Sequence, residues 1–372
     1  MIRYLSLFSG IGAFEKALDN LGIPYELLAY CEVDKYASKA YSLLHHVPES
    51  MNLGDITKVD EKTLPTDIDL LIYGFPCQDI SIAGNKRGFV NEDGTKTRSG
   101  LFFDALRIIE HCKPKVAIAE NVKNLTSKSM SSIFSIVLES LDNAGYNCYW
   151  QVLNSADYGV PQGRERVFIV SIRRDVDDHS FRFPPVIPLE MCMGDLLDEE
   201  VPAEFYLSEE KTQSVIRHDS NHPGHIADRG GTCPTLLSRD YKRPEGGDLP
   251  MKIIQAADLN HYGNDQMNRI YSPEGLAPTL KTVSGGGREV KVLTNGRYRK
   301  LTPKEYFRLM GFSGSDYELL AKNGISKTQI YKMAGNSIVV TVLEHLFKQI
   351  YTPGTQSIDS LKKKSLDILN TL

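Results

Sequence analysis

The sequence predicts an α/β fold: a Rossmann-like domain built to bind a nucleotide-type ligand, joined to a smaller strand- and loop-rich domain. Three observations carry this. Residues 3–9 alternate as a strand, run into Ser9-Gly10-Ile11-Gly12, and are followed by helix-forming residues 13–21. A strand, a Gly-x-Gly turn and a helix make the first unit of such a fold, because glycine allows both the tight turn and the close approach of a ligand to the helix start. Further apolar runs at 27–31, 68–73 and 116–119 read as short buried strands, with helical periodicity at 101–109 and 130–144 and later strands at 147–153 and 167–172. From Arg182 the pattern breaks. Pro184, Pro185 and Pro188 mark a linker, and the chain to about residue 295 is rich in Gly, Pro and turn residues.

Composition narrows the class. The chain is 41% hydrophobic and 24% charged, ordinary for a globular protein. No apolar stretch approaches the roughly 20 residues that span a bilayer, so no membrane association is expected. The amino terminus enters a strand at once, and no signal peptide is expected. Six cysteines (31, 77, 112, 148, 192 and 233) are scattered without paired spacing, which reads as reduced thiols in a cytoplasmic protein. His218, His222, His225 and Cys233 are zinc-ligand types, but their spacing matches no common site, so no metal is expected. The net charge of -4 argues against a generally basic nucleic-acid binder. Residues 229–300 nevertheless hold twelve Lys/Arg against seven Asp/Glu, compatible with DNA contact through one face.

Chemistry-bearing residues fall at the expected strand ends. The second strand is followed by Glu32, twenty residues after Gly12, placed to accept hydrogen bonds from ribose hydroxyls. Glu15 stands where a dinucleotide fingerprint has its third glycine, so a diphosphate fits poorly and S-adenosylmethionine, which has none, fits better. The run at 68–73 is stopped by Gly74-Phe75-Pro76, which presents Cys77 at a strand's carboxyl end, where open α/β sheets place ligands. A thiol there acts as a nucleophile if its pKa falls below the free value of about 8.5, and is otherwise a half-buried structural cysteine. Glu120 follows the next strand and points to the same edge if the sheet is parallel. Residues 82–100 form a long polar, Gly-rich stretch with Lys86, Arg87, Lys96 and Arg98, of the kind that is usually functional.

Gly74-Phe75-Pro76-Cys77-Gln78-Asp79-Ile80-Ser81 resembles the Pro-Cys-Gln motif of the DNA (cytosine-5) methyltransferases, in which the cysteine attacks the target base. The resemblance covers nearly the whole chain, motif by motif in the family's order. Leu7-Phe8-Ser9-Gly10-Ile11-Gly12 is similar to the first motif, whose Phe ring lies against adenine. Glu32 and Asp34 resemble the second, with Val33 where some members carry Trp; Asp55-Ile56 matches the acidic residue that accepts from the adenine amino group. Pro76 and Leu101, the latter heading Leu101-Phe102-Phe103-Asp104, resemble residues flanking the cofactor pocket. Glu120-Asn121-Val122 resembles the Glu-Asn-Val motif, and Gln162-Gly163-Arg164-Glu165-Arg166 the Gln-x-Arg-x-Arg motif. The motifs resume at residues 299–305 and 329–337, where Asn336 is expected at the start of the last helix, facing the methionine part of the cofactor. This implies residues 1–183 as the catalytic and cofactor domain, 184–297 as a target-recognition domain, 298–351 as a returning segment, and 352–372 as a tail.

The activity so implied is sequence-specific transfer of a methyl group from S-adenosylmethionine to carbon-5 of a cytosine flipped out of double-stranded DNA. Cys77 is expected to add to carbon-6, Glu120 to neutralise charge at ring N3, and Arg166 to stabilise the base carbonyl, with Arg164 as support or phosphate contact. Ser81, Lys86 and Arg87 belong to the loop expected to close over DNA. Gly231-Thr232-Cys233-Pro234-Thr235-Leu236 recurs, offset by 44 residues, as Gly275-Leu276-Ala277-Pro278-Thr279-Leu280. Each copy leads to arginines, Arg239 and Arg243 or Arg288, so both loops are expected to read DNA; the other reading is two hairpins repeated for packing. A monomer is expected, with any cognate restriction endonuclease acting separately. Three alternatives stay open: an RNA (tRNA) cytosine-5 methyltransferase, a cysteine hydrolase (though no His motif accompanies Cys77), and a catalytically dead DNA-binding protein (though Cys77, Glu120 and Arg166 are all present).

Overall fold

The amino-terminal alternation becomes β1 (Ile2–Leu7), buried from Tyr4 onward, and it starts a sheet whose strands are laid down by crossover helices. The structure, a computed structural model, describes residues 1–76, 100–221, 252–283 and 287–351, without the side chains of 218–221. The expected site residues Cys77, Ser81, Lys86, Arg87, Thr235, Arg239 and Arg243, the His/Cys group at 218–233 and the tail at 352–372 lie outside what it describes. The chain divides into two compact units. The first comprises Met1–Asn154, Glu165–Val186 and Ser337–Leu372; the second comprises Ser155–Arg164 and Ile187–Asn336.

In the first unit β1 is followed by α1 (Ala13–Asn20), β2 (Tyr25–Cys31), α2 (Lys35–His45), β3 (Leu70–Tyr73), α3 (Leu101–Cys112), β4 (Val116–Val122), α4 (Ser131–Asn143) and β5 (Tyr146–Asn154). The two-residue β6 (Gln162–Gly163) belongs to the second unit, and β7 (Glu165–Arg173) returns to the first. The sheet order is β2-β1-β3-β4-β7-β5. Neighbours from β2 to β4 are parallel, while β7 runs antiparallel to both β4 and β5. All four residues of β3 are buried, as expected of a central strand covered on both faces. Phe102 and Ile109 of α3 and Val137 and Leu141 of α4 join the main apolar core with Leu71, Ala117 and Ile169. On the other side α1 packs against α10 (Val340–Tyr351), with the Phe14 and Phe347 rings 6.1 Å apart. Strand order reverses between β1 and β3, the switch point where α/β sheets open a crevice for ligands.

One boundary shift matters for function. The strand expected to end at residue 119 runs on to Val122, because β7 pairs along it, Glu120 opposite Phe168 and Val122 opposite Arg166. Glu120 therefore sits within a strand rather than after one.

The second unit holds α5 (Glu209–Asn221), β8 (Gln255–Asp258), α6 (Asp265–Asn268), β9 (Arg269–Tyr271), β10 (Ala277–Pro278), β11 (Lys291–Thr294), β12 (Arg297–Lys300), α7 (Pro303–Leu309), α8 (Gly314–Lys322) and α9 (Lys327–Asn336). Its sheet has the order β12-β11-β9-β8, with Val215 of α5 packed on Ala257, Leu259 and Ile270. The strands that follow the two repeat copies, β8 and β11, both lie against β9, the first antiparallel and the second parallel. The return to the first unit comes later than the expected residue 298. Arg299 pairs across the β11–β12 hairpin with Val292 and forms a fully buried double hydrogen bond with Glu305 (2.8 and 2.9 Å). This pairing keeps residues 298–336 in the second unit, and the return begins at Ser337.

Candidate active and cofactor site

The turn after β1 is held in a strained shape that only part of its sequence tolerates freely. Phe8, Gly10 and Gly12 all have positive φ (53°, 55° and 79°), and Phe8 is the non-glycine exception. Ser9 ties the turn to β2: its amide donates to the Cys31 carbonyl (3.1 Å), and the Cys31 amide donates to its hydroxyl (3.2 Å). Glu32 then reaches back. One carboxylate oxygen accepts from the Gly10 amide (2.9 Å) and the other from the Asp34 amide (2.8 Å). Burial pushes the Glu32 carboxyl up from its ordinary value, against the pull of those two N–H groups. The Val33 amide pulls the same way, and an ionised carboxylate, with about four acceptor positions, still has room for a ligand's hydroxyl beside these amides. Around it the surface is open: a Cβ on Gly10 or Gly54 would meet nothing within 4 Å, and Val33 is 77% exposed.

Asn52, which the sequence reading passed over, organises this corner. Its carbonyl oxygen accepts from the amides of Glu32 (3.0 Å) and Gly54 (2.9 Å). Its amide nitrogen donates to the Glu32 carbonyl (2.8 Å) and the Ser38 hydroxyl (2.9 Å). Asp55 caps a short turn, accepting from the Thr57 amide and hydroxyl, and these bonds hold its carboxyl below the usual range. Ile56 is 4% exposed and its side chain belongs to the core, while its carbonyl accepts from Arg107 and from the Val59 amide. Leu101 is half-buried at the head of α3 and packs on the same core.

At the carboxyl end of β3 the Glu-Asn-Val segment does two jobs. Asn121 is buried and donates to the Phe75 carbonyl (2.9 Å), fixing the chain just before Pro76. Glu120 points toward Gly74, where an added Cβ would lie 3.7 Å from its carboxylate, and forms an ion pair with the Arg166 Nε at 3.1 Å. Both side chains are largely buried, 13% and 18% exposed. In the β4–β7 ladder they are diagonal neighbours on one face, within reach of long side chains.

The two arginines of the Gln-x-Arg-x-Arg motif part company. Arg164 is 4% exposed and donates to the carbonyls of Leu280 and Gly335, both at 3.1 Å. That geometry corrects the phosphate-contact expectation and leaves a supporting role. Gln162 is likewise buried, donating to the Leu309 carbonyl (2.7 Å) and accepting from the Leu280 amide (3.2 Å). Thr279, expected to read DNA, donates its hydroxyl to the Gly163 carbonyl (2.6 Å), which ties it to β6 within the second unit. Gly335 allows a close approach, since a Cβ there would lie 2.4 Å from the Lys281–Thr282 peptide. Asn336 is exposed at the end of α9, not at the start of α10. Arg288 is exposed beside a cleft of about 580 Å³ that Arg269, Lys281 and Gln266 also line.

Among the described cysteines, burial pushes Cys31 and Cys112 up to about 12 and raises Cys148, so none of these three is a ready thiolate. No group of His, Cys, Asp and Glu suited to a metal ion occurs among the described residues.

Residues 2–352 match the family model for C-5 cytosine-specific DNA methylase. The type II methyltransferase M.HhaI of Haemophilus parahaemolyticus is 35% identical over 348 residues, covering 93% of this chain and 93% of that protein. The orphan methyltransferase M.SPBetaI of Bacillus phage SPbeta is 33% identical over 452 residues, covering 94% and 97%. The crystal structure of the S. pombe Dnmt2 methyltransferase shares the fold at 20% identity, with a TM-score of 0.62 over 93% of this chain and 97% of that one. With its nucleotide-type turn, its Glu120–Arg166 pair beside the end of β3 and a family match across almost its whole length, the chain belongs to the C-5 cytosine-specific DNA methylases.

Proposed function

We propose that this DNA (cytosine-5)-methyltransferase works through a covalent adduct between Cys77 and carbon-6 of a flipped-out cytosine, with S-adenosylmethionine as the methyl donor. The observation that carries the reading is the Glu120–Arg166 pair at the carboxyl end of β3, next to the segment that leads into Cys77. The residues fit the donor. Glu32 keeps room to accept from a ribose hydroxyl, the open surface at Gly10, Gly54 and Val33 leaves room for an adenosine, and Phe8 offers a half-buried ring. Asp55, through its carboxylate, and Ile56, through its backbone, are the proposed adenine contacts. S-adenosylmethionine supplies an electrophilic methyl group.

The chain's own residues supply the rest. Carbon-5 of cytosine is a poor nucleophile, and addition of the Cys77 thiolate to carbon-6 places electron density on it. Glu120, in hydrogen-bonding contact with N3, offsets the charge that develops in the ring. Arg166 donates to the base carbonyl; its planar, always-charged guanidinium suits an oxygen gaining negative character. After methylation, loss of the carbon-5 proton expels Cys77. Flipping costs a few kcal/mol of unstacking and unpairing, and Ser81, Lys86 and Arg87 are proposed to hold the open state. Arg239, Arg243 and Arg288 are proposed to read bases. The same reading has a cytoplasmic monomer, with any endonuclease acting separately; among the described residues no helix is long and apolar enough to cross a membrane.

The test is to incubate purified protein and labelled S-adenosylmethionine with duplex DNA or with tRNA, then locate the product by bisulfite sequencing. Methyl groups on cytosine within one short DNA sequence are expected. Label only on tRNA, or on exocyclic nitrogen, would refute the proposal.

A further inference from the structure

A buried lysine in the second unit has no place in that mechanism. Lys291 opens β11 and is 1% exposed. Its ammonium donates to three backbone carbonyls, those of Met267 (2.8 Å), Gly287 (2.8 Å) and Glu289 (3.2 Å). An ammonium has three donors and no acceptor, so the match is complete. Two of those carbonyls flank Arg288, and the third belongs to Met267 of α6, which lines the same 580 Å³ cleft as Arg288. The Tyr262 ring lies 5.5 Å from the ammonium and directly against Gly287, where φ is 87° and an added Cβ would come within 2.5 Å of the ring. Tyr262 is itself fixed by Asn268, whose side chain accepts from the Tyr262 amide (2.8 Å) and donates to its carbonyl (2.8 Å).

We propose that Lys291 is a specificity-positioning residue: by clamping the carbonyls on either side of Arg288 to α6, it sets the direction in which Arg288 meets DNA. The proposal rests on the reading of Arg288 as a base contact. A charge this deep is costly to keep. Burial pushes Lys291 down to about 8, Lys300 and Lys211 push the same way, and Glu289 opposes them; the Tyr262 ring is the other group facing it. An apolar residue would fill the space without that cost, so the ammonium is here for the bonds it makes. As pH rises through about 8 the third donor is lost and one carbonyl is released. Between about 8 and the ordinary lysine value of 10.5 the folded chain binds fewer protons than the unfolded one, so this group adds to fold stability as pH rises. Deprotonation of Lys291 in that window therefore does not itself favour unfolding.

The experiment profiles methylation of a randomised-duplex library by wild type, Arg288→Ala, Lys291→Met and the double variant, at pH 7 and pH 9. Ratios between sequences cancel any effect of pH on turnover. Arg288→Ala and Lys291→Met should relax the same base position, by about tenfold, and the double variant no further. Wild type should lose selectivity at that position at pH 9, and Lys291→Met should be indifferent to pH. A wild-type profile in Lys291→Met, uniform loss on every sequence, or relaxation elsewhere in the site would overturn the clamp. Should Lys291→Met not fold, the wild-type pH series decides, and unchanged selectivity at pH 9 overturns the proposal. An unchanged profile in Arg288→Ala refutes the base-contact reading and the clamp with it. Absence of any DNA methylation by wild type refutes the broader function.

Discussion

Replacing Asn52 by alanine should weaken cofactor binding although Asn52 is not proposed to touch the cofactor. Its side chain makes four hydrogen bonds, joining the backbone of Glu32 to Gly54 and to α2. At about 0.5–1.5 kcal/mol net per bond, and with water able to replace part of a half-buried set, the expected loss of stability is about 2–3 kcal/mol. The larger consequence is local. The Glu32 carboxylate is aimed by its own backbone, and freeing that backbone lets it leave the position set by Gly10 and Asp34. A tenfold loss of S-adenosylmethionine affinity, about 1.4 kcal/mol, is the expected minimum. Asn52→Asp keeps both acceptor bonds but turns an oxygen toward the Glu32 carbonyl, and should do no better. Calorimetric titration with the cofactor, alongside urea unfolding, measures both effects. Affinity within twofold of wild type in both variants would show that Glu32 is positioned without Asn52, or that the cofactor binds elsewhere.

Two other perturbations follow from the geometry. Glu120→Gln and Arg166→Lys should each lower turnover by about 10²–10³ while cofactor affinity stays within twofold, because a lysine cannot reproduce the guanidinium fork; single-turnover kinetics would show it. Arg299→Met or Glu305→Leu alone should destabilise by about 3–5 kcal/mol, since each leaves a buried charge unpaired, whereas the double variant should cost less than the sum, as read by denaturant unfolding.

What the sequence disclosed is what lies within one turn. Phe8, Gly10 and Gly12 share a single strand–helix connection, and Glu32 directly follows the adjacent strand, so spacing along the chain is enough to place them. The Glu120–Arg166 pair is different: it exists because β7 returns antiparallel beside β4 in a register that sets position 120 diagonal to 166, and neither strand's sequence states that register. Arg164 and Arg166, two residues apart, read as one motif, yet they serve different units, because the chain crosses between units at Glu165. Asn52 and Lys291 carried no motif signal. A lone asparagine reads as a turn residue and a lysine as solvated surface, and only the distant backbone groups that meet them give them work. The tight β11–β12 hairpin turns at Asn295 and Gly296, both at positive φ, an Asn-Gly signal that the sequence reading passed over when it set a domain boundary there.

The central claim, covalent catalysis by Cys77, is tested most directly with a duplex carrying 5-fluorocytosine at the target position. Fluorine at carbon-5 cannot leave as a proton, so after methyl transfer the enzyme has no route to expel Cys77. Wild type with S-adenosylmethionine should form a one-to-one adduct that survives denaturation, with peptide mapping placing the bond at Cys77, and Cys77→Ser should form none while still binding cofactor and DNA. Methylation of ordinary cytosine by wild type without any trapped adduct, or robust turnover by Cys77→Ser, would contradict it.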